Sequence, residues 1–208
     1  MAQSSQFWDK ISDRYSKSPV KDVAAYEKKL KITQDYLKPE MKVLEFGCGT
    51  GTTALIHATF VQHIHAIDIS QKMLEIGQAK AEAGSINNVS FEQSGIDELN
   101  AEDASYDAVM GHSIMHLLED KEAAIAKVYR LLKPGGLFVS STPCLKGWML
   151  ILKAILPIGH FFGLLPKVKF FNEAKLIQSI TNAGFTIDHQ WQPGKGKALF
   201  LVARKSGA

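Results

Sequence analysis

The sequence predicts a doubly wound α/β fold, in which a mostly parallel, seven-stranded sheet carries helices on both faces and ends in an antiparallel hairpin. Three observations predict this fold. A glycine-rich turn follows an apolar strand at 43–46, a second apolar strand at 64–67 leads into Asp68, and strand and helix patterns alternate through most of the chain. Such alternation is typical of parallel sheets with right-handed crossovers.

The remaining elements follow from hydrophobic spacing and from residues that break helices. Pro39 ends the first predicted helix, Gly184 ends the last one, and the turn at 193–196 joins two strands into the C-terminal hairpin. The predicted helices cover 22–37, a segment beginning at 52, 71–83, 121–132 and 172–183. The predicted strands cover 43–46, 64–67, 89–93, 106–111, 137–141, 185–191 and 198–203.

The length of the chain fits one compact domain. A chain of 208 residues, 46% of them hydrophobic, can bury one sizeable core. We therefore expect a single domain over residues 1–208. Within it, residues 1–40 form a helical lead-in, and residues 144–171 form an apolar cap.

The glycine-rich turn predicts a nucleotide pocket at the edge of the sheet. Gly47, Gly49 and Gly51 permit a turn whose backbone approaches a ligand closely, and the helix beginning near Thr52 offers its N-terminus to a polar group. Asp68 ends the next strand, where a doubly wound fold places the acid that binds ribose hydroxyls.

The type of nucleotide is not fixed by glycine spacing alone. Counted from Gly49, the run G-T-G-T-T-A ends at Ala54 and matches the pattern of a dinucleotide-binding dehydrogenase. Glu45 favours a different ligand, because its carboxylate would repel a pyrophosphate and attract an ammonium group. A nucleotide with an amino-acid tail therefore fits this turn better.

The composition of the chain limits which kinds of partner and which cellular compartments are expected. The net charge of +3 is spread along the chain, so nucleic acid is not an expected partner. The first ten residues contain no apolar signal core, and Cys48 and Cys144 form neither a disulfide framework nor a C-x-x-C pair. We expect a soluble cytoplasmic protein. We expect no metal site either, because the histidines lack ligand spacing and companion acids.

The segment 144–171 is more apolar than a solvent-facing loop should be. Lys153, Pro157 and Gly163 interrupt it, and a membrane span needs about 20 apolar residues in a row, so we do not predict a transmembrane helix. Three interpretations remain open: a buried helix, a lid over an apolar ligand site, or an interfacial helix whose lysines contact anionic membrane lipid. Its place after a central strand favours the lid.

With these motifs in order, the chain resembles the class I S-adenosylmethionine-dependent methyltransferases, in the group of small proteins that includes the ubiquinone-biosynthesis type. The resemblance covers nearly the whole chain and implies a Rossmann-like fold. It also implies that S-adenosyl-L-methionine is the cofactor and S-adenosyl-L-homocysteine the product. The motifs that carry it are EFGCGTG at 45–51, DIS with Met73 at 68–73, SGID at 94–97, YDAVMGHSIMHL at 106–117 and LLKPGGLFVSSTP at 131–143.

The resemblance also implies roles for individual residues. Glu45 would face the methionine ammonium group, and Asp68 would bind the ribose hydroxyls. Tyr15, in the aromatic lead-in, would contact the cofactor carboxylate, unless it only anchors the lead-in helix. The other implied contacts are Gly47 and Gly49 with the amino-acid tail, and Ile69, Met73, Ile96 and Asp97 around the adenine.

Methyl transfer needs a base only for some acceptors, since a sulfonium methyl is already activated. His112 and His116 follow the fourth strand, where the family meets cofactor and acceptor, and a neutral histidine there would take a proton. Either histidine would equally satisfy a backbone group.

The favoured hypothesis is a methyltransferase for a small hydrophobic or aromatic acceptor. One alternative is an NAD(P)-dependent oxidoreductase, for which Tyr129 and Lys133 have the spacing of a catalytic pair. The other is a non-catalytic protein that binds S-adenosylmethionine. Nitrogen, oxygen, sulfur and carbon acceptors all remain open.

Overall fold

A computed structural model of the chain describes residues 2–144, 165–166 and 168–207, with side chains described from residue 5 onward. These residues form six α-helices: α1 Ala2–Ser16, α2 Val23–Tyr36, α3 Thr52–His57, α4 Gln71–Ala83, α5 Lys121–Leu131 and α6 Glu173–Asn182. They also form seven strands: β1 Lys42–Phe46, β2 His63–Asp68, β3 Val89–Gln93, β4 Tyr106–His112, β5 Leu132–Thr142, β6 Phe185–Trp191 and β7 Leu199–Lys205.

The strands form one sheet in the order β3-β2-β1-β4-β5-β7-β6. The five strands from β3 to β5 are parallel, whereas β7 pairs antiparallel with both β5 and β6. The predicted doubly wound sheet and its C-terminal hairpin are therefore confirmed. The chain winds outward from β1 to β3 and then crosses to β4, so a crevice opens where β1 and β4 end.

Two apolar layers cover the two faces of the sheet. On one face, Leu44 and Phe46 pack with α5 and α6. On the other face, Val43 packs with residues of α2, α3 and α4. Because side chains alternate along a strand, Glu45 lies on the same face as Val43. The acidic side chain of Glu45 therefore lies beneath helix α2.

Polar N-caps explain where most of the helices begin. Asp22 accepts a hydrogen bond from the Ala25 N–H and so precedes α2, which starts one residue later than predicted. Ser70 caps α4 in the same way through the Met73 N–H, and α4 has the predicted bounds. Such a cap supplies a partner for a donor that the first helical turn leaves unpaired.

Strand β5 is longer than predicted because it starts directly after helix α5. Leu132 was expected to end the helix, but it is fully buried and pairs with Tyr106 of β4. The pairing of the two strands shifts between Tyr106 and Ala108. This irregularity lets the strand begin before Pro134 and Gly135, where the sequence pattern suggests a turn.

The predicted cap at 144–171 lies mostly outside the residues that the structure describes. At its two ends, Cys144 and Phe171 are buried in the core that contains α5 and α6. Close to the second end, the Lys169 N–H donates a hydrogen bond to the His116 carbonyl at 2.7 Å. Within the described ranges, no helix has the length and apolar character that crossing a bilayer requires.

Candidate functional site

A cavity of about 180 Å³ lies at the carboxyl ends of strands β1, β4 and β5. Helices α2 and α3 cover it from the side of the sheet that Glu45 faces. Its lining includes Glu45, Gly47 and Gly49 from the first strand and the turn, His112 from β4 and Ser141 from β5. The position matches the crevice in which open α/β sheets bind ligands.

All three glycines of the turn have positive φ angles, but a side chain would meet different neighbours at each position. A Cβ atom on Gly47 would lie 2.6 Å from Ile114, and one on Gly51 would lie 2.8 Å from Phe91. A Cβ atom on Gly49 would meet only Tyr15, at 3.8 Å. Gly49 therefore leaves open space on the cavity side, where a ligand can approach the backbone.

Asp68, at the end of β2, connects that strand to the glycine-rich turn. Its Oδ2 accepts a hydrogen bond from the Gly49 N–H at 2.8 Å, and its Oδ1 accepts one from the Ser70 N–H at 2.9 Å. Burial raises the pKa of the Asp68 carboxyl, while these backbone hydrogen bonds act in the opposite direction. The carboxyl group therefore helps to hold the turn.

Helix α1 packs over the start of α4, next to Asp68. The Asp9 carboxylate accepts hydrogen bonds from the Ser70 hydroxyl at 2.6 Å and from the Lys72 N–H at 3.2 Å. Tyr15, in the last turn of α1, contacts the edge of Trp8 and also lines the cavity. The structure thus brings Tyr15 to the predicted cofactor site and also gives it a packing role in the lead-in.

Glu45 is a deeply buried acidic group in the cavity. Its side chain is 2% exposed, and its Oε2 has no hydrogen-bond partner among the described residues. Burial, assisted by the nearby Asp68 carboxylate, raises the pKa of Glu45 to about 8. A buried polar atom without a partner is unfavourable. A cation that entered the cavity would relieve this cost by pairing with the carboxylate.

The residues predicted around the adenine lie beyond the cavity. Met73 and Ile96 are buried, Ile69 is partly buried, and the side chain of Asp97 is exposed. The Asp97 carbonyl accepts a hydrogen bond from Lys127 Nζ at 3.1 Å. None of these four predicted residues lines the cavity. Of the predicted cofactor contacts, those with the amino-acid tail, Tyr15, Glu45, Gly47 and Gly49, line the cavity.

The two candidate histidines have different locations. His112, the last residue of β4, lines the cavity, and its buried Nε2 has no hydrogen-bond partner among residues 2–144, 165–166 and 168–207. Burial, with smaller effects of His57 and Lys29, lowers the pKa of His112 to about 3. His116 lies in a short 3-10 helix outside the cavity lining, and burial lowers its pKa to about 4. Of the two, His112 is the one that the fold places next to Gly47 and Glu45.

The two residues considered for an oxidoreductase lie outside the cavity lining. The ring of Tyr129 packs edge-on against Phe185 at 5.0 Å. The Lys133 ammonium forms an ion pair with Asp107 at 2.7 Å. Both residues therefore have structural roles, and their spacing does not indicate a catalytic pair.

Helix α2 contributes a wall of the cavity that was not predicted from the sequence. Tyr26, Lys29, Leu30 and Thr33 line the cavity from one face of this helix. Their spacing of three and four residues was the available signal, because such residues share a helix face. His57, from α3, also lines the cavity and was not predicted as a site residue.

The chain matches a family described as a methyltransferase domain over residues 37–204. Demethylmenaquinone methyltransferase of Symbiobacterium thermophilum is 26% identical over 212 residues, covering 95% of this chain and 82% of that protein. Ubiquinone biosynthesis O-methyltransferase of Acinetobacter baumannii is 30% identical over 152 residues, covering 70% of this chain and 64% of that protein. The match to the uncharacterized methyltransferase YcgJ of Bacillus subtilis, 31% identical over 102 residues, covers 49% of this chain and 40% of YcgJ.

Solved structures share the fold at low sequence identity. The crystal structure of YcgJ from Bacillus subtilis has a TM-score of 0.71 at 16% identity and covers 88% of this chain and 100% of that one. The crystal structure of the [4+2]-cyclase SpnF has a TM-score of 0.73 at 18% identity, and the match covers 86% of this chain and 80% of SpnF. These likenesses concern the fold alone. The family match, which spans most of the chain, shows that this protein belongs to the class I S-adenosylmethionine-dependent methyltransferases, whose cofactor is S-adenosylmethionine.

Proposed function

We propose that this protein transfers the methyl group of S-adenosylmethionine to a small hydrophobic or aromatic acceptor. The observation that carries the proposal is the buried Glu45 carboxyl, whose Oε2 has no hydrogen-bond partner among the described residues, on the same cavity as the open side of Gly49. This pair suits a ligand with an ammonium group on a slender tail. The names of two relatives, a demethylmenaquinone and a ubiquinone-biosynthesis methyltransferase, support an aromatic acceptor.

Cofactor binding is assigned to the residues on the β1 and β2 side of the cavity. Glu45 pairs with the ammonium group of the cofactor, and Asp68 accepts hydrogen bonds from the ribose hydroxyls. The remaining contacts assigned are Gly47 and Gly49 with the amino-acid tail, Tyr15 with the carboxylate, and Ile69, Met73, Ile96 and Asp97 with the adenine.

The bound cofactor supplies a methyl group that its sulfonium already activates. The protein therefore has to orient the acceptor and exclude water. We assign the contact with the reacting group of the acceptor to His112. Its lowered pKa keeps the imidazole neutral at pH 7, so the ring is able to form a hydrogen bond with the reacting group of the acceptor.

Transfer of a labelled methyl group tests the proposed function. The pure protein is incubated with methyl-labelled S-adenosylmethionine and a cell extract, and the products are separated into organic-soluble, small aqueous and macromolecular fractions. We expect protein-dependent label in the organic fraction. Label only in the aqueous or macromolecular fraction would contradict a hydrophobic acceptor. No label, despite tight binding of S-adenosylhomocysteine, would favour the non-catalytic alternative.

Two histidine variants make the same assay specific for the site. His112→Asn should lower the labelling rate at least about tenfold while S-adenosylhomocysteine affinity stays within about threefold. His116→Asn is the matched control, because this histidine is also partly buried but lies outside the cavity lining. Equal losses of labelling in both variants would contradict the assignment to His112.

The raised pKa of Glu45 predicts that the affinity for S-adenosylhomocysteine, the product formed from the cofactor, depends on pH. Its pKa of about 8 keeps the carboxyl protonated at pH 7, whereas an ammonium group pairs with the ionised form. Binding of S-adenosylhomocysteine should therefore release about 0.9 proton at pH 7, and affinity should rise about ninefold from pH 6 to pH 7 and about fivefold from pH 7 to pH 8. Calorimetry in buffers with different ionisation enthalpies measures the released proton.

The Glu45→Gln variant supplies the control for this pH dependence. It should bind S-adenosylhomocysteine more weakly and with a flat pH profile. Because the pKa of Glu45 rises from 4.5 to about 8 on folding, the unfolded chain ionises first. The stability of the ligand-free protein should therefore fall as the pH rises from about 4.5 to about 8, and the variant should lack this slope. An unchanged pH profile in the variant would contradict the ammonium–Glu45 pair.

A further inference from the structure

We infer that the methyl acceptor carries an anionic oxygen, a carboxylate or a phenolate, and that the ammonium group of Lys29 binds this oxygen at the β5 end of the cavity. Lys29 would then be a residue that determines acceptor specificity. The inference rests on the proposed function, because it names the chemistry of the acceptor for the same site.

The order of the strands separates a cofactor side of the site from an acceptor side. Asp68 ends β2, and Gly49 follows β1, so the assigned cofactor contacts lie over these two neighbouring strands. His112 ends β4 and pairs in register with Ser141 of β5. Lys29 Nζ donates a hydrogen bond to Ser141 Oγ at 3.2 Å. The ammonium group of Lys29 thus lies two strands away from β1, on the side left for the acceptor.

The charge of Lys29 is not neutralised by an ion pair. Among the residues that the structure describes, no carboxylate lies within 4.0 Å of its ammonium group, and the side chain lines a cavity instead of extending into solvent. Burial lowers the pKa of Lys29, whereas the charge of Asp22 acts in the opposite direction. A partly buried ammonium group without a counterion favours an anionic ligand.

A second observation at the same end of the cavity points to a ligand with polar atoms. His57 is 0% exposed, and neither of its ring nitrogens has a hydrogen-bond partner in the part of the chain that the structure describes. His112 Nε2 is likewise buried and has no partner within the described ranges, and both histidines line the cavity with Lys29. A neutral imidazole donates one N–H, so these rings are able to support an oxyanion that is paired with the ammonium group.

Benzoate and benzamide test this inference, because they are similar in size and differ in charge. Each is titrated into the protein saturated with S-adenosylhomocysteine, and binding is followed by NMR. We expect benzoate to bind at least about tenfold more tightly than benzamide. Lys29→Met should remove this preference, and Lys29→Arg should restore most of it.

Lys31→Met is the matched control, because Lys31 lies on the same helix, is exposed and pairs only with Asp35 in the described part of the chain. It should keep the benzoate preference of the unaltered protein. Thermal unfolding of both methionine variants shows whether either of them has lost its fold.

Lys29 could bind either an anionic acceptor or the carboxylate of the cofactor. The affinity for S-adenosylhomocysteine alone distinguishes these two anions. We expect Lys29→Met to change this affinity less than about threefold. A loss of about tenfold or more would show that Lys29 binds the carboxylate of the cofactor, and it would overturn the inference. Equal binding of benzoate and benzamide to the unaltered protein would also overturn it. Failure of the unaltered protein to bind S-adenosylhomocysteine would instead contradict the proposed function itself.

Discussion

Replacement of Gly49 by valine is expected to abolish detectable binding of S-adenosylhomocysteine. The residue has a φ angle of +54°, and the open space around its missing side chain lies on the cavity side, where the nearest atom to a Cβ would be Tyr15 at 3.8 Å. A valine side chain would fill the space assigned to the amino-acid tail. It would also strain the backbone, since β-branched residues rarely adopt positive φ angles.

A valine at a second glycine separates the effect of backbone strain from the effect of the blocked site. Gly135 has a φ angle of +76°, has no atom within 4 Å of an added Cβ and lies outside the cavity lining. Gly135→Val should therefore carry a comparable backbone cost, about 1–2 kcal/mol, and still bind S-adenosylhomocysteine normally. Calorimetric titration and thermal unfolding of both variants measure the two effects.

Gly49→Ala provides a smaller change in case the valine variant does not fold. It should retain a folded structure and bind S-adenosylhomocysteine at least about tenfold more weakly than the unaltered protein. If both Gly49 variants bound as tightly as the Gly135 variant, the glycine-rich turn would not carry the amino-acid tail.

The fold was predictable because its signals are local. The strand, the turn and the acid of the predicted cofactor site occupy the short segments 43–52 and 64–68, and the two strands pair with each other. Strand alternation then fixes the side of the sheet on which Glu45 lies. The structure places Tyr15, Glu45, Gly47, Gly49 and His112 on one cavity, while their chemical roles stay predictions.

The cavity wall formed by helices α2 and α3 was not predictable from local patterns. The hydrogen bond between Lys29 and Ser141 joins residues 112 positions apart in the sequence. His57 is buried and lines the cavity because α3 packs under α2. Such contacts depend on how helices α2 and α3 pack on the sheet, and periodicity within each helix gives only the face that is used. The boundary at Leu132 was wrong for a similar reason, because pairing with Tyr106 decides it.

The loss of the Asp68 carboxyl is expected to weaken S-adenosylhomocysteine binding by at least about 100-fold, because the hydrogen bonds that ribose hydroxyls make to a charged group contribute about 1.5–3 kcal/mol each. Asp68→Ala removes a second function as well. The Gly49 N–H and the Ser70 N–H lose their acceptor, so the turn itself is less well held. We therefore expect a lower free energy of unfolding together with the weaker binding.

Asp107→Ala separates these two consequences. Asp107 lies at the opposite end of the sheet from the cavity, accepts the Lys42 N–H at 2.8 Å and pairs with Lys133. Its replacement also removes a carboxylate that accepts a backbone hydrogen bond, but affinity for S-adenosylhomocysteine should stay within about threefold. Calorimetric affinities and urea unfolding of both variants give the comparison. If Asp68→Ala kept its affinity while losing stability, Asp68 would hold the glycine-rich turn without binding the ribose.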